Sequence, residues 1–196
     1  MSIDLAQMEE EILKPSDRLL EDMAAIHGDI LLLGVGGKMG PSLARLAKKA
    51  AQMSGNNNRI IGVSRFSESG LKEQLENEGI VTISADLLHE QDLAALPQAP
   101  HVLYLAGYKF GTTGKEPFTW AMNSYLPGRI AEKYKDSNIL AFSTGNVYPF
   151  STLQEGGCSE EVTPDPVGEY GQSCLGRERL LQYFSEKKNT PTLIYR

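Results

Sequence analysis

The chain carries the stretch Ile30-Leu31-Leu32-Leu33-Gly34-Val35-Gly36-Gly37-Lys38-Met39-Gly40. Four aliphatic residues, enough for a short strand, are followed at once by a loop in which glycine recurs at every third position. Apolar residues at helical spacing come next, so the pattern predicts a strand, a tight turn and an amphipathic helix in direct succession. Such a unit is typical of a parallel sheet with helices on both faces.

Further aliphatic runs follow at Ile60–Val63, Ile80–Ile83, Val102–Ala106, Ile139–Phe142 and Thr192–Tyr195. They are near-continuous rather than alternating, as expected for strands that are covered on both faces. Helical patterns separate them, with the fourth helix over about 118–134 and the fifth over about 169–185, so the connections should be right-handed crossovers. The sequence therefore predicts an α/β fold with a doubly wound parallel sheet of the Rossmann type, in strand order 3-2-1-4-5-6.

A polar helical segment precedes the first strand. Its predicted apolar stripe consists of Ile12, Leu19, Leu20, Met23 and Ile26. Within residues 3–27, Pro15 should break the helix and Ser16 should cap its second part. We therefore expect residues 1–28 to form an N-terminal helical extension, packed at the edge of one domain that spans residues 29–196.

Composition and charge argue against several functional classes. The chain has 19 basic and 25 acidic residues, a formal charge of −6, and no long basic stretch, which argues against a nucleic-acid or anionic-membrane surface. The apolar runs are too short to span a bilayer. The two cysteines, Cys158 and Cys174, cannot form a disulfide framework and have no metal-ligand spacing around them, so we expect no metal site. Reduced thiols and no signal peptide favour the cytoplasm.

The glycine loop predicts a dinucleotide site. Gly34, Gly37 and Gly40 can adopt positive φ, let a pyrophosphate approach the backbone and allow close strand–helix packing. The helix that follows points its N-terminal amides at the phosphates. Lys38 and Met39 lie inside the loop and are included among the predicted cofactor-binding residues. A purely structural turn is the alternative interpretation.

The ends of the second and third strands carry residues that distinguish cofactors. An acid after the second strand would bind the ribose hydroxyls and repel a 2′-phosphate, but this chain has Ser64 and Arg65 there. A hydroxyl and a guanidinium suit a phosphate, which favours NADP while NAD remains possible; a solvated loop arginine is the alternative. After the third strand, Asp86 is expected beside the adenine amino group with Leu87 beside the ring. Alternatively, Asp86 caps the following helix.

Further short motifs occur in consistent order. They are Asp86-Leu87, Leu105-Ala106-Gly107, Asn123, Phe142-Ser143-Thr144-Gly145-Asn146-Val147-Tyr148 and Tyr170-Gly171-Gln172-Ser173-Cys174-Leu175-Gly176-Arg177-Glu178. Together with the glycine loop, they make the chain resemble the extended (atypical) short-chain dehydrogenase/reductase family, the NAD(P)-dependent epimerase/dehydratase group. The resemblance covers roughly residues 29–196. It implies an oxidoreductase or epimerase/dehydratase-like protein that acts on a hydroxyl or carbonyl of a small molecule, for example a sugar or nucleotide sugar, and it implies a homodimer.

The resemblance also assigns roles by position. Thr144 becomes the hydroxyl that hydrogen-bonds the substrate oxygen, and Tyr170 becomes the acid/base that exchanges a proton with it. Ala106 and Gly107 border the cofactor, and Asn123 lies near the site on the fourth helix. The alternatives are a strand-end hydroxyl bound to the backbone for Thr144 and a packed helix tyrosine for Tyr170.

The family's lysine, four residues after the tyrosine, is replaced by Cys174. That spacing puts both side chains on one helix face. A phenol with a pKa near ~10 is a poor base at neutral pH, and a thiol supplies no positive charge. Three explanations remain open: Lys109 in the loop after the fourth strand supplies the charge, the chemistry tolerates a differently assisted Tyr170, or the chain is a non-catalytic NADP(H)-binding sensor or scaffold. Arg177 and Arg179 are near in sequence, but helical geometry should turn much of their reach elsewhere.

The resembled family usually continues into a smaller C-terminal region that closes over the substrate. This chain stops at Arg196, at the end of the sixth predicted strand. We therefore expect it to lack most of the substrate wall, either as a fragment of a longer protein or because its substrate recognition is rudimentary.

Overall fold

The computed structural model describes residues 4–196, which begin with two short helices. Helix α1 spans Leu5–Ile12 and α2 spans Asp17–Ala25. Ser16 caps α2, because its side chain accepts a hydrogen bond from the Leu19 N–H at 3.2 Å. The predicted break and cap are confirmed, and the predicted start at residue 3 lies outside the described residues. Ile12 does not join the apolar stripe: it is 65% exposed, because α1 ends there before the chain turns into α2.

Six strands form one parallel sheet. They are β1 Ile30–Leu33, β2 Ile60–Ser64, β3 Val81–Ser84, β4 His101–Tyr104, β5 Asn138–Phe142 and β6 Thr192–Tyr195. The strand order is β3-β2-β1-β4-β5-β6, which confirms the predicted doubly wound arrangement. In β1, Ile30 is paired with Ile60 of β2 on one side and with His101 of β4 on the other. A central strand of this kind is buried along its whole length.

The two outer strands depart from the expectation that every run is covered on both faces. Val81 in β3 is exposed, and so are Leu193 and Tyr195 in β6. These strands form the edges of the sheet and have a strand neighbour on one side only, so less of their surface is covered. The continuous apolar pattern correctly identified the strands but did not distinguish edge strands from central ones.

Helices connect the strands. They are α3 Gly40–Met53, α4 Leu71–Asn77, α5 Glu90–Ala95, α6 Glu116–Trp120, α7 Leu126–Lys133 and α8 Gly168–Lys188. A π-helical segment, Ala121–Tyr125, joins α6 to α7, so the predicted fourth helix is one helical stretch with a wider turn inside it. Helix α8 ends at Lys188, and its C-cap residue Asn189 has φ 56°. Along residues 4–196, no helix combines the length and the apolarity that crossing a membrane requires.

The chain divides into two compact units. The first unit runs to Asp86 and includes Ala99–Leu105, and the second consists of Leu87–Gln98 and Ala106–Arg196. In the first unit, a core of aliphatic side chains from β1, β2 and α4 also contains Met23 of α2, so α2 packs on this unit. The second unit is centred on the buried side chains of α7, β5 and α8. The predicted domain boundaries at residues 28 and 29 stay a prediction.

Candidate functional site

The glycine loop of the first unit is shaped by its backbone. Gly34 has φ 94°, a left-handed conformation that favours glycine, and its N–H donates to the carbonyl oxygen of Val63 at 2.9 Å. At Gly40, an added Cβ would lie 2.1 Å from the carbonyl oxygen of Val35. Only glycine therefore allows α3 to begin this close to the end of β1.

The middle of the loop is open to solvent. Gly36, Gly37, Lys38 and Met39 are all exposed. A Cβ added at Gly37 would meet only the Gly34 carbonyl oxygen, at 3.4 Å. The backbone here can be approached by a ligand, and the 14-residue helix α3 begins directly after it. These features fit a bound pyrophosphate, because exposed amides and the positive end of a helix both favour an anion.

The end of β2 lies against this loop. A Cβ added at Gly36 would sit 2.3 Å from the hydroxyl oxygen of Ser64. The same oxygen accepts a hydrogen bond from the Phe66 N–H at 3.3 Å, and Phe66 has φ 48°, which is unusual for a residue other than glycine. The side chain of Arg65 is exposed. Gly36 was missed as a site residue, although the double glycine was the visible signal.

The segment after β3 contains Asp86, which is half-buried, and Leu87, which is buried. The alternative role of Asp86 as a helix cap is wrong, because α5 begins at Glu90 and its N-cap is His89. The expected roles of Asp86 and Leu87 at the adenine stay predictions.

In the second unit, the side chain of Thr144 interacts with the phenol of Tyr170 and lowers its pKa. Thr144 follows β5 and caps the short 3₁₀ turn Gly145–Val147, where its side chain accepts from the Asn146 N–H at 3.2 Å. Tyr170 lies in the first turn of α8. The alternative prediction for Thr144, a hydrogen bond to the backbone, is therefore confirmed. The same side chain also acts on Tyr170.

Burial raises the pKa of Tyr170 above its ordinary value, and the charge and hydrogen bonding of Cys174 raise it further. The hydrogen bond with Thr144 and the positive charge of Arg177 act in the opposite direction and lower it. The net shift is upward, so the neutral phenol is favoured at neutral pH. A group that stabilises the phenolate is therefore needed if Tyr170 is to accept a proton.

Cys174 has a fully buried side chain. Burial raises the pKa of its thiol, and Glu178 raises it too, whereas Arg177, Tyr170 and Lys109 lower it. The thiol is therefore neutral at physiological pH, unlike the thiolates of reactive cysteines. Lys109 is exposed, and its Nζ lies 5.5 Å from the centre of the Phe110 ring. Its charge acts on Cys174, while the positive charge of Arg177 acts on Tyr170.

Arg177 reaches further into the unit than expected, because its long side chain extends from α8 to the end of β5. Only 6% of its surface is exposed, and its Nη1 donates to the Phe142 carbonyl oxygen at 2.7 Å. Its Nη2 donates to the side-chain oxygen of Asn123 at 3.2 Å. A Cβ added at Gly107 would lie 2.9 Å from Nη2. The expectation that helical geometry turns Arg177 away was wrong.

Asn123 lies in the π-helical segment and is fully buried. Its side-chain oxygen accepts from the Tyr108 N–H at 2.8 Å, and its Nδ2 donates to the Tyr108 carbonyl oxygen at 2.9 Å. Nδ2 also lies 3.1 Å from the hydroxyl oxygen of Ser173 on α8. Asn123 thus holds the loop after β4, which contains buried Ala106 and exposed Gly107. A role of these three predicted residues at the cofactor stays a prediction.

A second charged pair lies beside these residues. Glu178 on α8 is fully buried, and Arg196 Nη2 donates to its Oε2 at 2.7 Å. Arg196 Nη1 also donates to the Tyr148 hydroxyl at 2.7 Å, and Ser143 donates to Glu178 Oε1. Sequence reasoning missed the pair, because only the fold brings these distant residues together.

An open pocket of about 550 Å³ adjoins the pair. Its lining consists of Gly145, Tyr148, Pro149, Phe150, Ser151, Cys158, Glu160 and Arg196. The pocket begins one residue after Thr144 and offers hydroxyl, carboxylate and aromatic groups to a ligand. Over residues 4–196, no group of three or more His, Cys, Asp or Glu side chains is arranged to hold a metal ion.

Comparison with known proteins gives structural relatives only: no family model and no curated protein sequence matches the chain. UDP-glucuronic acid 4-epimerase from Bacillus cereus, in complex with NAD, has a TM-score of 0.67 and 22% identity, over 85% of this chain and 55% of that one. A short-chain dehydrogenase/reductase superfamily protein from Agrobacterium tumefaciens with bound NAD has a TM-score of 0.65 and 21% identity, over 86% and 48%. L-threonine dehydrogenase from Clostridium difficile has a TM-score of 0.66 and 19% identity, over 86% and 52%.

These similarities confirm the fold that was predicted from the sequence. The chain spans about half the length of the structures that it matches.

Proposed function

We propose that this chain is a member of the extended short-chain dehydrogenase/reductase family and that it acts on a hydroxyl or carbonyl group of a small molecule. The observation that carries the proposal is that Thr144, just after β5, lies beside Tyr170 in the first turn of α8 and acts on its phenol. An alcohol oxygen bound between them could exchange its proton with the phenol while the Thr144 hydroxyl orients it. Structures with this fold include an epimerase and a dehydrogenase, which supports this class of reaction.

The proposed cofactor is a nicotinamide dinucleotide. When bound, the nicotinamide ring would accept or return the hydride from the carbon that bears the reacting oxygen. The chain's own contribution is the open loop backbone at Gly36 and Gly37, which fits a pyrophosphate, and the exposed guanidinium of Arg65. Arg65 replaces the acid that would repel a 2′-phosphate, so we favour NADP, although two of the three structures described above were solved with NAD.

The pocket lined by Tyr148, Ser151 and Glu160 is proposed to hold the substrate. The charge of Arg196 is already shared with Glu178, so the pocket presents polar groups more than an open cation. A sugar or nucleotide sugar suits it, because hydroxyl-rich substrates need several donors and acceptors. UDP-glucuronic acid 4-epimerase, named for a nucleotide sugar, shares the fold and is consistent with this substrate class.

The experiment is a fluorescence titration with NADPH and NADH, followed by turnover assays with a panel of sugars, nucleotide sugars and simple carbonyl compounds. Tyr170→Phe should keep cofactor binding and abolish turnover. Gly37→Ala should keep the fold, because its Cβ meets only one atom at 3.4 Å, but should weaken binding where the pyrophosphate approaches. Unchanged turnover in Tyr170→Phe would refute the acid/base role.

The second candidate function is a non-catalytic NADP(H)-binding sensor or scaffold. The observation that favours it is the buried, neutral Cys174 in the place of the lysine, together with the upward shift of the Tyr170 pKa. Tight NADPH binding without hydride transfer to any compound in the panel would support this candidate and count against the enzyme.

Cytoplasmic location and a homodimer remain part of the proposal. Exposed Tyr125 and Tyr183 lie next to α7 and on α8, respectively, where the resemblance predicts the dimer face. Sedimentation velocity measures the oligomeric state directly, and a monomer at high concentration would contradict the dimer.

A further inference from the structure

We propose that the buried guanidinium of Arg177 supplies the positive charge that stabilises the Tyr170 phenolate, a task that the resembled family gives to a lysine at the place of Cys174. The inference rests on the proposed function, in which Tyr170 exchanges a proton with the substrate. Arg177 is here a positioning residue, because it acts through Tyr170 and is not proposed to touch the substrate.

Arg177 lies on the same helix as Tyr170. Tyr170, Cys174 and Arg177 stand at positions i, i+4 and i+7 of α8, a spacing that puts all three on one face. Cys174 lies between the other two in sequence, and its small side chain is fully buried. A lysine at position 174 would place its charge on this same face. In this chain the cation belongs instead to Arg177, about one turn further along α8.

The guanidinium of Arg177 is held in a fixed position by hydrogen bonds. Arg177 is anchored by Nη1 to the Phe142 carbonyl oxygen at 2.7 Å and by Nη2 to the Asn123 side chain at 3.2 Å. Its Nε lies 3.4 Å from the Asn123 carbonyl oxygen. A buried charge held by several acceptors keeps its position and acts more strongly than an exposed one, because little solvent screens it.

The charged groups to be compared with Arg177 lie on α8 and in the loop after β4. On α8 these are Cys174, whose thiol is neutral, and Glu178, which Arg196 binds through both carboxylate oxygens. In the loop after β4, Lys109 is exposed and acts on Cys174. Thr144 adds a hydrogen bond but no charge. Burial outweighs every other influence and raises the pKa of Tyr170, and Arg177 acts in the opposite direction, as a phenolate-stabilising cation requires, although its effect is smaller than those of burial, Cys174 and Thr144.

Arg177 differs from the family lysine in one respect that can be tested. Its described donors bind protein oxygens at Phe142 and Asn123, so it contributes charge and not a hydrogen bond to a ribose hydroxyl. Removing the charge should therefore change the titration of Tyr170 and leave dinucleotide affinity almost unchanged.

The test is a tyrosine titration of the full chain without cofactor or substrate. Labelling the tyrosine Cζ carbons with ¹³C lets nuclear magnetic resonance follow each phenol, and Tyr170→Phe identifies the relevant signal. In Arg177→Gln the pKa of Tyr170 should rise measurably above that of the unmodified chain. Arg177→Met is a second neutral variant of similar length. Circular dichroism checks that each variant folds, and the test needs only one of the two to do so.

The matched control is Arg179→Gln, which removes an exposed arginine from the same helix turn. It should leave the Tyr170 titration unchanged, and Arg177→Lys should stay close to wild type because it keeps the cation. A folded neutral variant with an unchanged titration would overturn the proposal. So would an equally large rise in Arg177→Lys, which would indicate packing instead of charge.

The titration needs no turnover, so it separates this inference from the proposed function. If the chain proves active, Arg177→Gln should lower kcat about tenfold at neutral pH and recover at high pH, with similar NADPH affinity. A uniform loss at every pH would indicate a structural role and overturn the inference. If no turnover is found in any variant, the titration still decides whether Arg177 tunes Tyr170.

Discussion

The glycine loop and helix α8 serve their proposed roles by different physical means. The loop depends on the absence of side chains: Gly40 cannot accept a Cβ, and Gly36 and Gly37 leave the backbone open. Helix α8 instead buries polar and charged side chains, among them Arg177 and Glu178, and satisfies them with partners far away in sequence. Steric rules within a few residues shape the first region, whereas long-range hydrogen bonds and charge shape the second.

The largest effect is expected in the loop. Gly40→Ala should reduce the free energy of unfolding by about 5 kcal/mol, or prevent folding, because a backbone oxygen 2.1 Å from the new Cβ cannot move aside like a side chain. Urea denaturation followed by circular dichroism measures the loss. Gly37→Ala is the control and should lose less than about 1 kcal/mol. Equal losses would mean that steric contact does not decide stability in this region.

The next effect is expected at the buried pair. Arg196→Leu should cost about 3 kcal/mol, because it leaves the fully buried Glu178 carboxylate without its cation. The control is Arg59→Leu, which breaks the pair of an exposed guanidinium with Asp29 and should cost clearly less. Denaturation of both variants under the same conditions gives the comparison. A similar loss at the two pairs would show that burial does not determine how much an ion pair contributes to the free energy of unfolding.

Replacing Cys174 by lysine tests whether the positive charge has a single place on α8. Cys174→Lys should cost about 2 kcal/mol, because a second cation is buried near Arg177. Adding Arg177→Gln should recover part of that loss, and a double-mutant cycle on the free energy of unfolding measures the coupling. Strictly additive costs would contradict the idea that one charge substitutes for the other.

Cofactor discrimination gives a smaller effect in the first region. Arg65→Ala should weaken NADPH binding about tenfold and leave NADH binding nearly unchanged, because only NADP carries the 2′-phosphate. Arg18→Ala, an exposed arginine of α2, is the control for net charge. Fluorescence titrations with both dinucleotides give the ratio. If both affinities fell equally, the phosphate assignment of Arg65 would be wrong.

The smallest effect is a pH dependence of stability caused by the thiol on α8. Burial raises the pKa of Cys174 in the folded state, so the group stabilises the fold below its unfolded pKa and this contribution is lost as pH rises. The free energy of unfolding should fall by about 1 kcal/mol between pH 8 and pH 10 through this group. Cys174→Ala should flatten the dependence, whereas Cys158→Ala should not. Tyr170 shifts in the same direction and adds to the loss at higher pH.

The contrast between the regions explains what could be predicted from the sequence. The strand order and the glycine loop followed from local periodicity and spacing, as did the Ser16 cap. The exposure of Val81 in β3 did not, because an edge strand and a central strand have the same aliphatic composition. Local patterns predict which elements form but not which of them lies at the edge of the sheet.

The candidate site was predictable to a smaller extent. Thr144, Tyr170 and Cys174 were identified by position, and the structure brings them into one electrostatic group. Arg177 was set aside, although its spacing of seven from Tyr170 on the helix was visible. Its reach to Phe142 depends on where the end of β5 lies, which no pattern within α8 encodes.

The π-helical segment Ala121–Tyr125 makes the helix before α7 sensitive to insertion and deletion. A π-helical turn holds about one residue more than an α-helical turn, so removing one residue here would convert the segment to α-helix and change the face on which Asn123 lies. Asn123 would then leave both its loop partner Tyr108 and its helix partner Ser173. The number of residues in this segment is therefore constrained more tightly than their identity. Natural variation here should consist of substitutions, with single-residue gaps displaced into the flanking loops.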